Sequence, residues 1–142
     1  MKINAEIIVI EDDEDDRLFL KDIFESLSYP NKIVFFADPT LVIDYLLNTN
    51  VKPFIILSDI NMPKLDGYEL RDRIFKNENL KEKCLPYIFL STSKNPEYVA
   101  KAYDHYAQGY FTKESNFTTY KEVIHNIIEY WQKSLTPTTV SV

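Results

Sequence analysis

The stretch Ile7-Ile8-Val9-Ile10-Glu11-Asp12-Asp13-Glu14-Asp15-Asp16 joins a β-branched apolar run to six acids without a break. A run of that kind reads as a strand covered on both faces, because a strand with one wet face would alternate apolar and polar positions. The acids are therefore delivered to the end of a central strand rather than scattered over a surface. Carboxylates crowded there repel one another, and a hard divalent cation is the partner their oxygens suit.

Further strand-like segments follow at residues 33–36, 54–57, 87–90 and 110–111, each separated from the next by a stretch with helical spacing. The first helix carries Leu20, Ile23, Phe24 and Leu27 on one face, and the last carries Tyr120, Val123, Ile124, Ile127, Ile128 and Trp131. Residues 39–47, 67–76 and 96–106 read as shorter helices, each opened by a residue that suits a cap or first turn. Alternating strands and helices predict an α/β sandwich of five β/α repeats around a parallel sheet. Residues 77–85 read as a polar link, and residues 135–142 as a Thr-rich, Pro-interrupted tail with no room for an output domain. The expected division is one domain over residues 1–134 and a tail over 135–142.

The 142 residues suffice for one domain with a substantial core. A net charge of −6 argues against direct nucleic-acid binding. The apolar runs are strand-sized, so no membrane span is expected, and the start of the chain lacks a basic region followed by an apolar core. The lone Cys84 fits a reducing compartment and a packing role, and the chain reads as cytoplasmic. With only Gly67 and Gly109 there is no glycine-rich loop to cradle a phosphate. A phosphate site here must use metal, lysine and hydroxyls.

Those groups stand at the strand ends. Glu11 and Asp12 follow the first strand, and Ser58-Asp59-Ile60-Asn61-Met62-Pro63 lies at the end of the third. Ser91-Thr92-Ser93 follows the fourth and Thr112-Lys113 the fifth. In an open parallel sheet, ligands bind beyond the carboxyl ends of the strands, where these side chains converge. The set suits phosphoryl transfer to a carboxylate. Asp59 is the expected nucleophile, since an ionised carboxylate needs no general base. Glu11 and Asp12 are the expected ligands of Mg²⁺, or Mn²⁺ in its place, which offsets repulsion between Asp59 and an incoming phosphate. Lys113 offers a point charge to one phosphate oxygen and Ser91 a hydrogen bond to another.

Four motifs in order carry a family resemblance: Ile-Val-Ile-Glu-Asp-Asp, Leu-Ser-Asp-Ile-Asn-Met-Pro-Lys-Leu-Asp-Gly-Tyr-Glu-Leu, Leu-Ser-Thr-Ser and Gly-Tyr-Phe-Thr-Lys. With them the chain resembles the receiver domains of two-component response regulators, including the single-domain chemotaxis regulator. The resemblance implies the flavodoxin-like fold with strand order 2-1-3-4-5. It makes Asp59 the phosphoacceptor and Asp12 a direct metal ligand, with Glu11 acting largely through metal-bound water and the Asn61 backbone carbonyl completing the set. Ser91 and Tyr110 match the family's switch pair, Lys113 its lysine, and Asn61 and Ser93 the positions that tune the lifetime of the phosphoryl group. The implied donor is a histidine kinase or histidine phosphotransfer protein. The implied output is protein contact through the fourth helix, fifth strand and fifth helix, which leaves open a phosphorylation-linked homodimer.

One departure stands out. The family usually places a cis proline after the lysine, whereas this chain has Glu114. A cis bond to a non-proline residue costs about 3–4 kcal/mol, so the sequence leaves the isomer and the reach of Lys113 open. Two rival functions remain: a Mg²⁺-dependent phosphatase with an aspartyl nucleophile, and a receiver-like binding module that works without phosphate. The phosphatase generally wants a second acid two residues beyond the nucleophile, where this chain has Asn61. His105 and His125 read as surface or packing residues, Asp13 or Glu14 as the start of the first helix, and Asp15 and Asp16 as first-turn or solvated acids.

Overall fold

The structure is a computed structural model that describes residues 5–48, 50–83 and 85–136. Its elements run β1 (Glu6–Ile10), α1 (Glu14–Leu27), β2 (Ile33–Phe36), a 3-10 turn (Pro39–Leu41), α2 (Val42–Leu47) and β3 (Pro53–Ser58). Then come α3 (Gly67–Lys76), a single helical turn (Glu78–Lys81), β4 (Tyr87–Ser91), α4 (Pro96–Asp104), β5 (Gly109–Thr112) and α5 (Phe117–Lys133). The strands form one parallel sheet in the order β2-β1-β3-β4-β5, as expected.

Successive residues of a strand point to opposite faces, and both faces here are covered. Ile8, Ile10, Ile56, Tyr87 and Phe89 pack on one side with Val42, Leu46, Leu70, Ile74 and Ala102 from α2, α3 and α4. Ile7, Val9, Ile55, Leu57, Ile88 and Leu90 pack on the other with Leu20, Ile23, Phe24, Ile124, Ile127 and Ile128 from α1 and α5. Two covered faces explain why the central strands are apolar throughout.

Short polar side chains start the helices. Asp13 accepts from the Asp16 N–H, Asp66 from Glu69, Asn95 from Glu97 and Asn116 from Thr119. Each such cap contributes about 1 kcal/mol. At α1 the cap falls within the acidic run itself, and Glu14, Asp15 and Asp16 occupy the first turn, where the helix dipole favours negative charge.

Some boundaries differ from expectation. The segment 77–85 is not wholly a polar link: Asn77 caps the turn Glu78–Lys81, which exists to bury Leu80. The helix expected over 96–106 stops at Asp104, and Tyr106 takes a left-handed conformation (φ 61°) that the helix cannot continue through. The helix expected over 39–47 begins as a 3-10 turn. Cys84 and residues 137–142, on which a packing role and most of the tail were placed, lie outside the described residues. Among those described, no helix is long and apolar enough to cross a membrane.

Candidate functional site

Strand register brings the candidate residues to one edge. Ile10 pairs with Ser58, and Ser91 with Thr112. The next residues along are tied across the same gaps: the Asp59 N–H donates to the Ile10 carbonyl at 2.9 Å, and the Lys113 N–H to the Ser91 carbonyl at 2.8 Å. Glu11, Asp12 and Asp59 each offer a carboxylate oxygen, all within 4.8 Å of one another. Clustered hard oxygens of this kind suit a small divalent cation.

Lys113 sits among the acids. Its Nζ lies 2.5 Å from Glu11 Oε2, 3.0 Å from Asp16 Oδ2 and 3.3 Å from Asp59 Oδ1. Glu11 is buried, and its second oxygen accepts the Asp13 N–H at 3.1 Å. Burial lifts the Glu11 carboxyl to about 7 against the opposing hydrogen bond from Lys113, with the negative charge of Asp59 adding to the rise. Asp59 is raised too, again by burial first, while Lys113 and the Ile60 N–H pull it down. Burial works against the Lys113 charge, but its hydrogen bond to Glu11 and the fields of Asp59 and Glu11 outweigh that and raise its pKa. The ammonium neutralises part of an acidic cluster that would otherwise repel itself.

The loop after β3 is closed tightly over Asp59. Asp59 Oδ1 accepts the Ile60 N–H at 2.8 Å, the Ser58 hydroxyl donates to the Asp59 carbonyl at 2.7 Å, and the Gly67 N–H donates to the Ile60 carbonyl at 2.8 Å. A Cβ on Gly67 would lie 2.3 Å from the Asp59 carbonyl oxygen. Only glycine permits this approach of α3 to the loop.

The hydroxyl side of the site is built from the β4–α4 connection. Ser91 is buried, and its Oγ accepts the Ser93 N–H at 3.2 Å rather than meeting Asp59. The half-buried Tyr110 donates its hydroxyl to the Ser93 carbonyl at 2.7 Å, so Ser91, Ser93 and Tyr110 form one connected group. Asn61 is exposed. Among the described residues no peptide is cis, so the Lys113–Glu114 bond is trans and Lys113 still reaches Asp59.

Two contributors were missed from sequence. Asp16, read as a first-turn or solvated acid, is half-exposed but turns inward to hold Lys113. Arg17 reaches back from α1 so that its Nη1 donates to the carbonyls of Glu11 at 2.9 Å and Asp12 at 2.8 Å, which fixes the loop that presents both acids. The one available signal was a lone arginine ending a run of six acids. The histidines lie away from the cluster: His105 pairs with Asp72 at 2.8 Å, and His125 shares a hydrogen bond with the Tyr29 hydroxyl at 3.0 Å.

Fold and site together define a doubly wound α/β protein whose carboxyl-end crevice gathers three acids and a lysine. The chain matches the response regulator receiver domain family over residues 7–125, and it belongs to that family. It is 28% identical over 129 residues to the probable methanogenesis regulatory protein FilR2 of Methanothrix harundinacea, covering 88% of this chain and 82% of the relative. It is 25% identical over 135 residues to the response regulator Rcp1 of Synechocystis, covering 92% and 90%.

Among solved structures, the phosphorylated cyanobacterial phytochrome response regulator RcpA superposes with a TM-score of 0.81 at 28% identity, covering 94% of this chain and 97% of that one. The Mn²⁺-bound form of Rcp1 superposes with a TM-score of 0.77 at 26% identity, covering 93% and 97%. The protein is thus a signalling receiver of the two-component type, and the similarities support that function rather than a phosphatase.

Proposed function

We propose that the chain accepts a phosphoryl group on Asp59 from the phosphohistidine of a histidine kinase or histidine phosphotransfer protein. The carrying observation is the position of Asp59, largely buried at a strand end, within the acid cluster and 3.3 Å from Lys113. The donor set fits a divalent metal: Glu11, Asp12, Asp59 and the Asn61 backbone carbonyl would hold Mg²⁺ or Mn²⁺, which when bound neutralises charge on phosphate oxygens.

In the reaction an Asp59 carboxylate oxygen forms the bond to phosphorus as the phosphorus–nitrogen bond of the donor breaks, and the departing imidazole takes up a proton. Lys113 exchanges a carboxylate for a phosphoryl oxygen, a bond that strengthens as charge moves onto the group. Ser91 Oγ exchanges the Ser93 N–H for the phosphoryl group, and Tyr110, hydrogen-bonded to the same Ser93, moves inward with it. Ser93 and the Asn61 side chain tune hydrolysis from the rim. The protein catalyses only its own modification and its reversal.

The output is protein contact through α4, β5 and α5, a region where Tyr98, Tyr103, Phe111 and Tyr130 are exposed. A phosphorylation-linked homodimer is one form that contact can take. A cytoplasmic location and a division into a receiver over 1–134 and a tail over 135–142 belong to the same reading.

The test is intact-mass measurement after incubation with Mg²⁺ and acetyl phosphate. One added phosphoryl group is expected, absent with EDTA and absent in Asp59→Asn. A wild-type protein that binds Mg²⁺ yet stays unmodified refutes the reading. Size-exclusion chromatography of the modified protein then decides whether it dimerises.

A further inference from the structure

At the opposite end of the sheet a second buried cation lies beside a cavity. Arg71 of α3 is 7% exposed, and its Nε is buried with no hydrogen-bond partner. What it has instead is weak: Nη2 lies 3.4 Å from the Tyr106 carbonyl, and the guanidinium carbon lies 4.9 Å from the centre of the Phe75 ring. Among the described residues no carboxylate pairs with it, and the neighbouring Asp72 is engaged by His105 at 2.8 Å. A buried charge without a counter-ion costs several kcal/mol, and an apolar side chain of similar size would serve packing better. Burial accordingly weakens its hold on the charge.

The cavity has a volume of about 230 Å³ and is lined by Arg71, Ile74, Leu80, Leu85, Tyr87 and Gln108, with Phe75 and Lys81 at its side. It opens near the start of β4 and just before β5, away from the carboxyl-end acids. Gln108 Oε1 is taken by the Tyr87 N–H, which leaves its NH₂ group to serve an acceptor. The space is smaller than the roughly 300–1,000 Å³ of sites for drug-sized ligands. Its wall joins the aliphatic Ile74, Leu80 and Leu85 to the aromatic Phe75 and Tyr87, and the Arg71 group beside them is a planar fork.

We propose that this cavity binds a small organic carboxylate, the carboxylate pairing with Arg71 and a short apolar body lying against Ile74, Leu80 and Leu85. A guanidinium presents two parallel N–H donors to a carboxylate, and the match is strongest out of water. Inorganic phosphate lacks the apolar body and does not fit the wall. Since Arg71 also touches the Tyr106 carbonyl just beyond α4, an occupant that draws the guanidinium away changes what holds that end of the helix.

The experiment is a methyl-detected NMR titration of the whole unmodified chain with hexanoate, hexan-1-ol and inorganic phosphate as separate probes. Hexanoate is expected to shift the Ile74, Leu80 and Leu85 methyl signals saturably, with hexan-1-ol and phosphate far weaker. Arg71→Met removes the charge-assisted bonds and is expected to weaken hexanoate by roughly tenfold or more. Three results overturn the proposal: no saturable shift with hexanoate, equal response to hexanoate and hexan-1-ol, or phosphate binding as well as hexanoate. The comparison of probes is made on wild-type protein, so it stands even where the variant does not fold.

Discussion

Lys113 and Arg71 are both folded into the interior, yet one is surrounded by acids and the other, among the described residues, has no carboxylate paired with it. The Lys113 side chain is 11% exposed and its ammonium lies within 3.3 Å of oxygens from Glu11, Asp16 and Asp59. Arg71 is 7% exposed and meets a carbonyl at 3.4 Å and the face of a ring. Lys113 is held by partners that an incoming phosphoryl group can replace, so its environment is prepared for exchange. Arg71 has no paired carboxylate to exchange among the described residues, so its environment is prepared to receive one. The same physical cost, a buried charge, is handled in opposite ways at opposite ends of one sheet.

Replacing each cation by methionine tests that contrast. Lys113→Met strands buried acids and is expected to lower stability by about 3–5 kcal/mol in urea unfolding without divalent metal. Added Mg²⁺ should recover more stability in this variant than in wild type, because it replaces the missing positive charge. Arg71→Met removes an unpaired charge and is expected to leave stability unchanged or raise it by about 1–4 kcal/mol. Losses of similar size in both variants would end the comparison.

Smaller effects sharpen it. Gly67→Ala forces a Cβ toward the Asp59 carbonyl and should cost about 1–3 kcal/mol by overpacking. It should also slow modification by acetyl phosphate, since the strain falls on the loop that aims Asp59. Asp13→Ala removes the cap of α1 from within the acidic run, a loss of about 1 kcal/mol. That variant should still be modified, because Asp13 offers the cap and Glu11 and Asp12 do the gathering. A loss of modification in Asp13→Ala would mean that the run acts as one cluster after all.

The sheet and its acidic edge were legible because strands covered on both faces leave an unbroken apolar signature, as at Ile7 to Ile10 and Phe54 to Leu57. Parallel order then places Glu11, Asp12, Asp59 and Lys113 together without further information. The role of Asp16 was not legible, since its partner lies 97 positions away and nothing local separates it from a solvated acid. Arg71 was hidden for a related reason: in the sequence Arg71-Asp72-Arg73 it reads as part of a charged helix surface, whereas the structure turns it inward. The turn Glu78–Lys81 escaped because its single buried residue, Leu80, makes no periodic stripe.

Asp59 is the proposed carrier of the phosphoryl group. Protein treated with Mg²⁺ and acetyl phosphate can be reduced with borohydride, which converts a phosphorylated aspartate to homoserine, and its peptides sequenced by tandem mass spectrometry. Homoserine at position 59, and aspartate unchanged at positions 12 and 16, is the predicted result. Homoserine at another acid, or at none in protein that binds Mg²⁺, would contradict it.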